Sequence, residues 1–168
     1  MAAKSKIVAL LINSWDDADR VFAGLSEADA KNRWDGGSAF GWTLAHITSG
    51  MDGSFNVRAQ GKQPHAAFAQ APYKSGSPNY GDCTDFGKVQ AAVKDIRASV
   101  RQFLENKTDA DLERMRVPPM PPRPEVNLRY LVMRAVAHHY FHIGEVAAKR
   151  DKLGHKVGDY PGPLADAM

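Results

Sequence analysis

The chain has 168 residues, a formal net charge of +3, 43% hydrophobic and 24% charged residues, and one cysteine, Cys83. This length and composition are typical of one globular domain, so we expect residues 1–168 to form a single domain. A lone cysteine excludes a disulfide within the chain, and basic residues scattered among acidic ones argue against nucleic-acid binding. We interpret Cys83 as a bystander thiol.

The first predicted element is a helix over residues 4–25. This stretch does not have the pattern of a targeting segment. The apolar run near the amino terminus is short and no cleavage site follows it, and no stretch of the sequence reaches the ~20 apolar residues of a membrane span. We therefore expect a cytoplasmic protein with no membrane partner. The buried face of this helix follows helical spacing at Ile7, Leu11, Trp15, Ala18, Phe22 and Leu25. Ser26 then has the pattern of an N-cap for a short second helix.

The next helical pattern covers residues 39–60, and a long polar segment follows it. The apolar stripe of this pattern consists of Phe40, Leu44, Ile47, Met51 and Phe55. Glycines within the stripe indicate that the helix is not straight. Residues 61–84 are rich in Gly, Pro, Ser and Asn, and a loop of this length inside a domain is usually functional or disordered.

Two further helices are predicted in the second half of the chain. The first lies within residues 84–107, with an apolar stripe of Phe86, Val89, Val93, Ile96, Val100 and Phe103. A capped turn begins at Thr108, and the proline-rich residues 117–126 predict an extended connector. The last helix begins at the cap Asn127 and runs to Lys152, followed by an irregular tail. No run of alternating strand residues stands out, so we predict an all-α fold, a four-helix bundle.

The last helix carries three histidines in the stretch "RAVAHHYFHIGEV". His138 and His142 are four residues apart, which stacks them on one helix face about 6 Å apart along the axis. This spacing allows two imidazoles to bind one metal ion. His139 points about 100° away, so we predict that it is not a ligand. It also occupies the position where a helical metalloprotease motif has its glutamate.

A third ligand has to come from another helix. His46 lies between Leu44 and Ile47, close to the buried stripe of the second pattern. One histidine from one helix and two from another can form a three-nitrogen site in the core of a bundle. The alternative is that each ring is an ordinary buried histidine. His65 and His155 fall in predicted loops, where we expect surface positions.

The stretches "WTLAHI", "HHYFHIGEV" and "DYPGPL" occur in an order that resembles the DinB-like superfamily of metal-dependent enzymes. The resemblance covers essentially the whole chain. It implies a four-helix bundle with a divalent metal ion held by His46, His138 and His142. The sequence departs from many members at Ile143 and Glu145, where they carry Arg and Gln.

The resemblance also implies a class of reaction. Some relatives activate a low-molecular-weight thiol such as bacillithiol or mycothiol, which implies a thiol S-transferase acting on small electrophiles. Hydrolysis by a metal-bound hydroxide and a non-catalytic metal-binding bundle remain open as alternatives. Zinc or nickel are the first choices for the metal, with iron or manganese next. As partners we expect a small-molecule substrate and no nucleic acid, and a homodimer is left open.

Several side chains near the histidines are candidates for supporting roles. Glu145 lies one turn from His142 and could act as a base or as a hydrogen-bond acceptor, the alternative being a solvated glutamate. Arginines could bind the carboxylates of an acidic thiol, although solvated faces are the default for Arg58, Arg129 and Arg134. Asp52 and Tyr140 fall off the histidine face, and we expect a surface position for the first and packing for the second. We expect the loop of residues 61–84 to lie over or beside the site.

Overall fold

The computed structural model describes residues 3–34, 37–69, 73, 80–83 and 85–164. Its α-helices are α1 (Lys6–Phe22), α2 (Glu27–Lys31), α3 (Phe40–Met51), α4 (Phe86–Leu104), α5 (Asp109–Arg114) and α6 (Leu128–Lys152). A π-helix, Asp52–Arg58, continues α3, and a short 3-10 turn, Ala66–Phe68, follows it. The predicted all-α fold is confirmed.

The four long helices pack as a bundle around the predicted apolar stripes. Helix α1 packs against α6, and α3 packs against both α4 and α6. Helix α4 closes the bundle against α1, where Arg97 pairs with Asp19 and lies over the ring of Trp15. Because each stripe faces the centre, the core is continuous from α1 to α6.

The helix ends follow local signals. Helix α1 ends at Phe22, three residues before the predicted end, because Gly24 adopts a left-handed conformation with φ of 72°. Ser26 caps α2 and Thr108 caps α5, each through a capping box with an aspartate three residues on. Asn127 caps α6 by accepting a hydrogen bond from the backbone nitrogen of Tyr130, as its position in the sequence predicts.

The proline-rich connector is more ordered than predicted. Two short antiparallel strands, β1 (Arg116–Val117) and β2 (Val126–Asn127), pair within it, although the sequence predicts no strands. Arg58, predicted to be solvated, is buried and donates hydrogen bonds to the carbonyls of Pro118, at 2.8 Å, and Pro124. Proline-rich backbone leaves carbonyls without helix or sheet partners, and the guanidinium supplies donors for two of them.

The carboxyl-terminal segment is anchored on α1 and α6. The backbone nitrogen of Gly162 lies 3.1 Å from both carboxylate oxygens of the buried Asp17, which also accepts a hydrogen bond from the Tyr140 hydroxyl. Arg20 lies over the Tyr160 ring, 4.7 Å from its centroid. Tyr140 packs against the core, in agreement with the prediction, and its hydroxyl also holds Asp17. The predicted irregular tail is described to residue 164, and its last four residues lie outside the described part.

Among the helices of the described residues, none has both the length and the apolar character that a membrane span requires.

Candidate metal centre

Helix α3 brings His46 to the centre of the bundle. Phe40, Leu44 and Ile47 bury the face of α3 that meets α4 and α6. The imidazole of His46 stacks on Trp42, with ring centroids 4.8 Å apart and an interplanar angle of 7°. This stacking fixes the plane of the ring and directs its Nε2 atom towards α6.

Helix α6 presents His138 and His142 to the same point. The Nε2 atom of His138 lies 3.2 Å from the Nε2 atom of His46 and 3.2 Å from that of His142. The potential ligand atoms of the three residues all lie within 4.8 Å of one another. The predicted convergence of His46, His138 and His142 is therefore seen in the structure.

The hydrogen bonds at the far side of two rings define their tautomers. The Nδ1 atom of His46 donates to the carbonyl oxygen of Tyr73 at 2.8 Å, and that of His142 donates to the carboxylate of Glu145 at 2.8 Å. Both acceptors are oxygens that can only accept, so both Nδ1 atoms carry the proton. The Nε2 atoms of His46 and His142 consequently direct lone pairs at His138.

One proton shared among the three rings cannot satisfy all three Nε2 atoms. Burial, together with the neighbouring charges of His142 and His46, lowers the pKa of His138 to about 3. Burial also lowers the pKa of His46, against the opposing effect of its bond to Tyr73. A neutral His138 has one ring proton and can donate from Nε2 to only one of its two neighbours. A cation at the point where the three nitrogens meet satisfies all of them.

The spacing of the nitrogens fits such a cation. Zinc–nitrogen bonds of about 2.0–2.1 Å in a tetrahedral site place ligand nitrogens about 3.3 Å apart. The observed 3.2 Å separations from His138 match this value. The rings are also nearly perpendicular to one another, with interplanar angles of 76°, 77° and 79°, so they approach one point from different directions. The donor set suits a divalent metal ion.

Glu145 is held beside His142 by a small polar network. Its Oε1 atom accepts hydrogen bonds from Lys149, at 2.6 Å, and from the buried Ser38, at 3.1 Å. The hydrogen bond from His142 and the charge of Lys149 lower the pKa of Glu145 to about 2, so the side chain is ionised. Glu145 is thus a hydrogen-bond acceptor that orients the ring of His142. The alternative of a solvated glutamate is wrong, because the carboxylate is hydrogen-bonded to three side chains.

The other histidines lie away from this cluster. His139 is 2% exposed, and its Nδ1 atom donates to the carbonyl of Ala135 at 2.7 Å. Its position off the face of His138 follows the predicted helical angle. His65 lies beside Asp95, with 28% of its side chain exposed, and His155 follows the end of α6.

A cavity of about 600 Å³ opens beside the cluster. His46 and His138 form part of its wall, and the rest comes from neighbouring residues of α3 and α6, from the π-helix, from the connector and from the loop that follows the π-helix. The described part of residues 61–84 contributes Pro64, Phe68, Ala69 and Tyr73 to this wall. The loop therefore lies beside the site in its described part, while residues 70–72, 74–79 and 84 lie outside the described residues.

The burial of Asp52 shows that one prediction from the sequence is wrong. The sequence predicts a surface position, but Asp52 is 2% exposed and lines the same cavity. The loop returning after the π-helix covers it: the backbone nitrogen of His65 and the side-chain amide of Asn56 both donate to its carboxylate at 2.8 Å. Helical spacing cannot show burial by a returning loop.

The sequence interpretation also missed partners of the cluster. Lys149 follows Glu145 by four residues, a helix pairing that could have been read from the sequence. Ser38, the carbonyl of Tyr73 and Arg123 reach the site from outside α3 and α6, and no local signal points to them. Cys83 is buried, and burial raises the pKa of its thiol, which agrees with a bystander role.

A comparison with known families identifies the fold. The family model of the DinB superfamily matches residues 10–146. The chain belongs to the DinB superfamily. A search of the curated proteins finds no match.

The region matched to the DinB superfamily includes the whole histidine cluster. His46, His138, His142 and Glu145 all fall within residues 10–146, as does the wall of the adjoining cavity. Lys149 and the segment anchored on Asp17 follow the matched region. The DinB match therefore covers the part of the chain that forms the candidate site.

Proposed function

We propose that this DinB chain is a metal-dependent enzyme that transfers a low-molecular-weight thiol to a small electrophile. Its divalent metal ion would be held by His46, His138 and His142, with zinc or nickel as the first choice. The observation that carries the proposal is the meeting of three imidazole nitrogens at the edge of an open cavity. Three neutral ligands leave the charge of the ion intact and leave coordination positions free.

The open cavity favours a catalytic over a structural ion. Structural zinc sites are closed by four protein ligands. Among the described residues, no fourth histidine, cysteine or carboxylate joins the three histidines. The cavity beside His46 and His138 is large enough for a small molecule, since ligand sites commonly measure about 300–1,000 Å³.

The surrounding carboxylates are engaged in other hydrogen bonds, so we expect the metal ion and not a protein base to activate the nucleophile. Glu145 is occupied by His142 and Lys149, and Asp52 by Asn56 and the backbone of His65. Neither is free to take a proton from water. A bound divalent ion would lower the pKa of a thiol so that no protein base is needed.

Within this proposal the residues have separate roles. Glu145 keeps the proton of His142 on Nδ1, and the carbonyl of Tyr73 does the same for His46. Trp42 stacks on His46 and holds its ring in place. Phe68 and Tyr73 supply aromatic surface in the cavity wall, which the carbon skeleton of the electrophile would contact.

A kinetic assay tests the proposed reaction. Metal-loaded protein is mixed with a panel of low-molecular-weight thiols and with an aromatic halide, an epoxide or an activated alkene, and loss of free thiol is followed. We expect acceleration by the wild-type chain and by Cys83→Ser, because the nucleophile arrives with the cosubstrate. His142→Ala should abolish the acceleration.

His155→Ala serves as the matched control, because His155 follows the end of α6 and lies outside the cluster and the cavity wall. It should retain the wild-type rate. Ester or amide hydrolysis by the metal-loaded chain without any thiol would contradict the transferase proposal and support a hydrolase. Absence of any reaction with metal firmly bound would support a non-catalytic bundle.

A further inference from the structure

The cavity beside the histidines has basic as well as apolar residues in its wall. Arg123 and Arg134 both line it, together with Met120 and the apolar Val57 and Phe68. The same two arginines line a smaller neighbouring cavity of about 160 Å³. The two arginines therefore lie between the two spaces, and both are exposed.

The position of Arg134 relative to the cluster follows from helix geometry. Arg134 precedes His138 by four residues on α6, so the two side chains share one helix face about 6 Å apart along the axis. Both residues line the same cavity. A small molecule can therefore contact Arg134 at one end and approach the three histidines at the other.

Arg123 is presented by a fixed turn. Its backbone nitrogen and carbonyl form hydrogen bonds with Met120 at 2.8 and 3.0 Å. The buried Arg58 holds the connector on either side through the carbonyls of Pro118 and Pro124. The backbone of Arg123 is thus tied to the π-helix, and its side chain lines the cavity without an ion-pair partner among the residues that the structure describes.

Neither guanidinium is neutralised within the described part of the chain. No carboxylate of those residues forms an ion pair with Arg123 or Arg134. The acidic side chain in the wall, Asp52, already accepts hydrogen bonds from Asn56 and from the backbone of His65. In contrast, Arg129 on the same helix pairs with Glu113.

We propose that Arg123 and Arg134 form a subsite for one oxyanionic group, a carboxylate or a phosphate, of a small molecule whose other end reaches the three histidines. Guanidinium groups match the planar fork of a carboxylate and the oxygens of a phosphate. The apolar wall of Val57 and Phe68 would contact the carbon skeleton between the two ends. This inference rests on the proposed function, since it names the substrate class of the same site as a small acid.

Titration of the purified full-length chain with succinate and, separately, with inorganic phosphate tests the subsite. The arginine side-chain Nε–H signals are followed by nuclear magnetic resonance and assigned with Arg123→Gln and Arg134→Gln. We expect saturable shifts of both signals by at least one anion and none by neutral succinamide. Saturation by succinate alone identifies a carboxylate site, and saturation by phosphate alone a phosphate site.

Each single arginine variant should weaken anion binding about tenfold, because each removes one charge-assisted contact. Arg129→Gln is the matched control, with the same change of charge on the same helix, and should bind as the wild type does. Unsaturable shifts, or unchanged affinity when both Arg123 and Arg134 are replaced, would overturn the proposal. The metal content of the variants is measured in parallel. A variant could lose anion binding while it keeps its metal ion and thiol activity, or lose these while it keeps anion binding. Failure of the subsite can therefore be told apart from failure of the proposed function.

Discussion

Glu145 controls which nitrogen of His142 is available for a metal ion. Its carboxylate accepts the Nδ1 proton at 2.8 Å and is itself held by Lys149 and Ser38. Such partners of metal-binding histidines typically change metal affinity by about 10–100-fold when they are removed. We predict that Glu145→Ala weakens metal binding within this range, and that Glu145→Gln, which retains an acceptor oxygen, has a smaller effect.

Competition with a chromophoric chelator measures these affinities. Glu125→Ala is a suitable control, because Glu125 is exposed in the connector and 56% of its side chain is accessible. An unchanged affinity in Glu145→Ala would show that the ring of His142 is oriented by packing alone.

The buried histidines also predict how stability depends on pH in the metal-free chain. Burial lowers the pKa of His139 from 6.5 to about 4 and that of His138 from 6.5 to about 3. Below 6.5 the unfolded chain binds protons on these rings that the folded chain does not bind. The free energy of unfolding should therefore fall as the pH decreases from 6.5 towards 4, with the slope lessening below that.

Urea unfolding near pH 7.5 and near pH 5 measures this dependence. His139→Asn, which keeps an amide near the position of Nδ1, should reduce the loss of stability at the lower pH. His65→Asn is the control and should leave the loss unchanged. Equal losses in the wild type and in His139→Asn would show that His139 does not contribute.

At the scale of single residues, the sequence predicts the positions of those side chains whose placement depends on helix geometry alone. His138 and His142 are four residues apart on one helix, and His46 lies beside an apolar stripe, so all three could be identified. Asp52 and Arg58 could not, because a returning loop and a proline-rich connector bury them. Contacts of this kind join residues far apart in the chain and leave no periodic signal.

At the scale of the helix, replacing two glycines by alanine should have opposite effects on the free energy of unfolding. Gly144 lies in α6, where a Cβ atom added to it would have no neighbouring atom within 4 Å. A Cβ atom on Gly41 in α3 would instead lie 2.5 Å from the Cys83 sulfur and 3.0 Å from the Ala30 carbonyl. Gly144→Ala should raise stability by about 0.5–1 kcal/mol, because alanine loses less backbone entropy in a helix. Gly41→Ala should lower it by about 1–3 kcal/mol through overpacking.

Thermal unfolding of the two variants beside the wild type compares these effects. A change of 1 kcal/mol corresponds to a shift of about 2–4 °C for a chain of this length. Stabilisation by Gly41→Ala would mean that α2, α3 and the segment carrying Cys83 pack less closely than the structure shows.

The helices themselves were largely predictable because their apolar stripes and caps are strong local signals. Asn127 and Lys152 mark the cap and the end of α6 as predicted, and Thr108 caps α5. The π-helix after α3 was not predicted, since its residues continue an apparently regular pattern. The strands β1 and β2 were missed because they are two residues long and flanked by prolines.

At the scale of the whole molecule, the site combines elements that are distant in sequence. Helix α3 supplies His46, α6 supplies His138 and His142, and the loop after the π-helix supplies the carbonyl of Tyr73. The bundle fold is what brings these elements together, and the DinB superfamily match spans α3 and most of α6. The connector adds Arg123 to the wall of the adjoining cavity.

The central claim is that the three histidines hold one divalent metal ion. Its most direct test is the metal content and affinity of untagged protein after reconstitution, measured by mass spectrometry and chelator competition. We predict one ion per wild-type chain, a loss of affinity greater than about 100-fold in each of His46→Ala, His138→Ala and His142→Ala, and wild-type binding in His65→Ala. Failure of the wild type to bind any divalent ion, or equal loss in His65→Ala, would contradict the account.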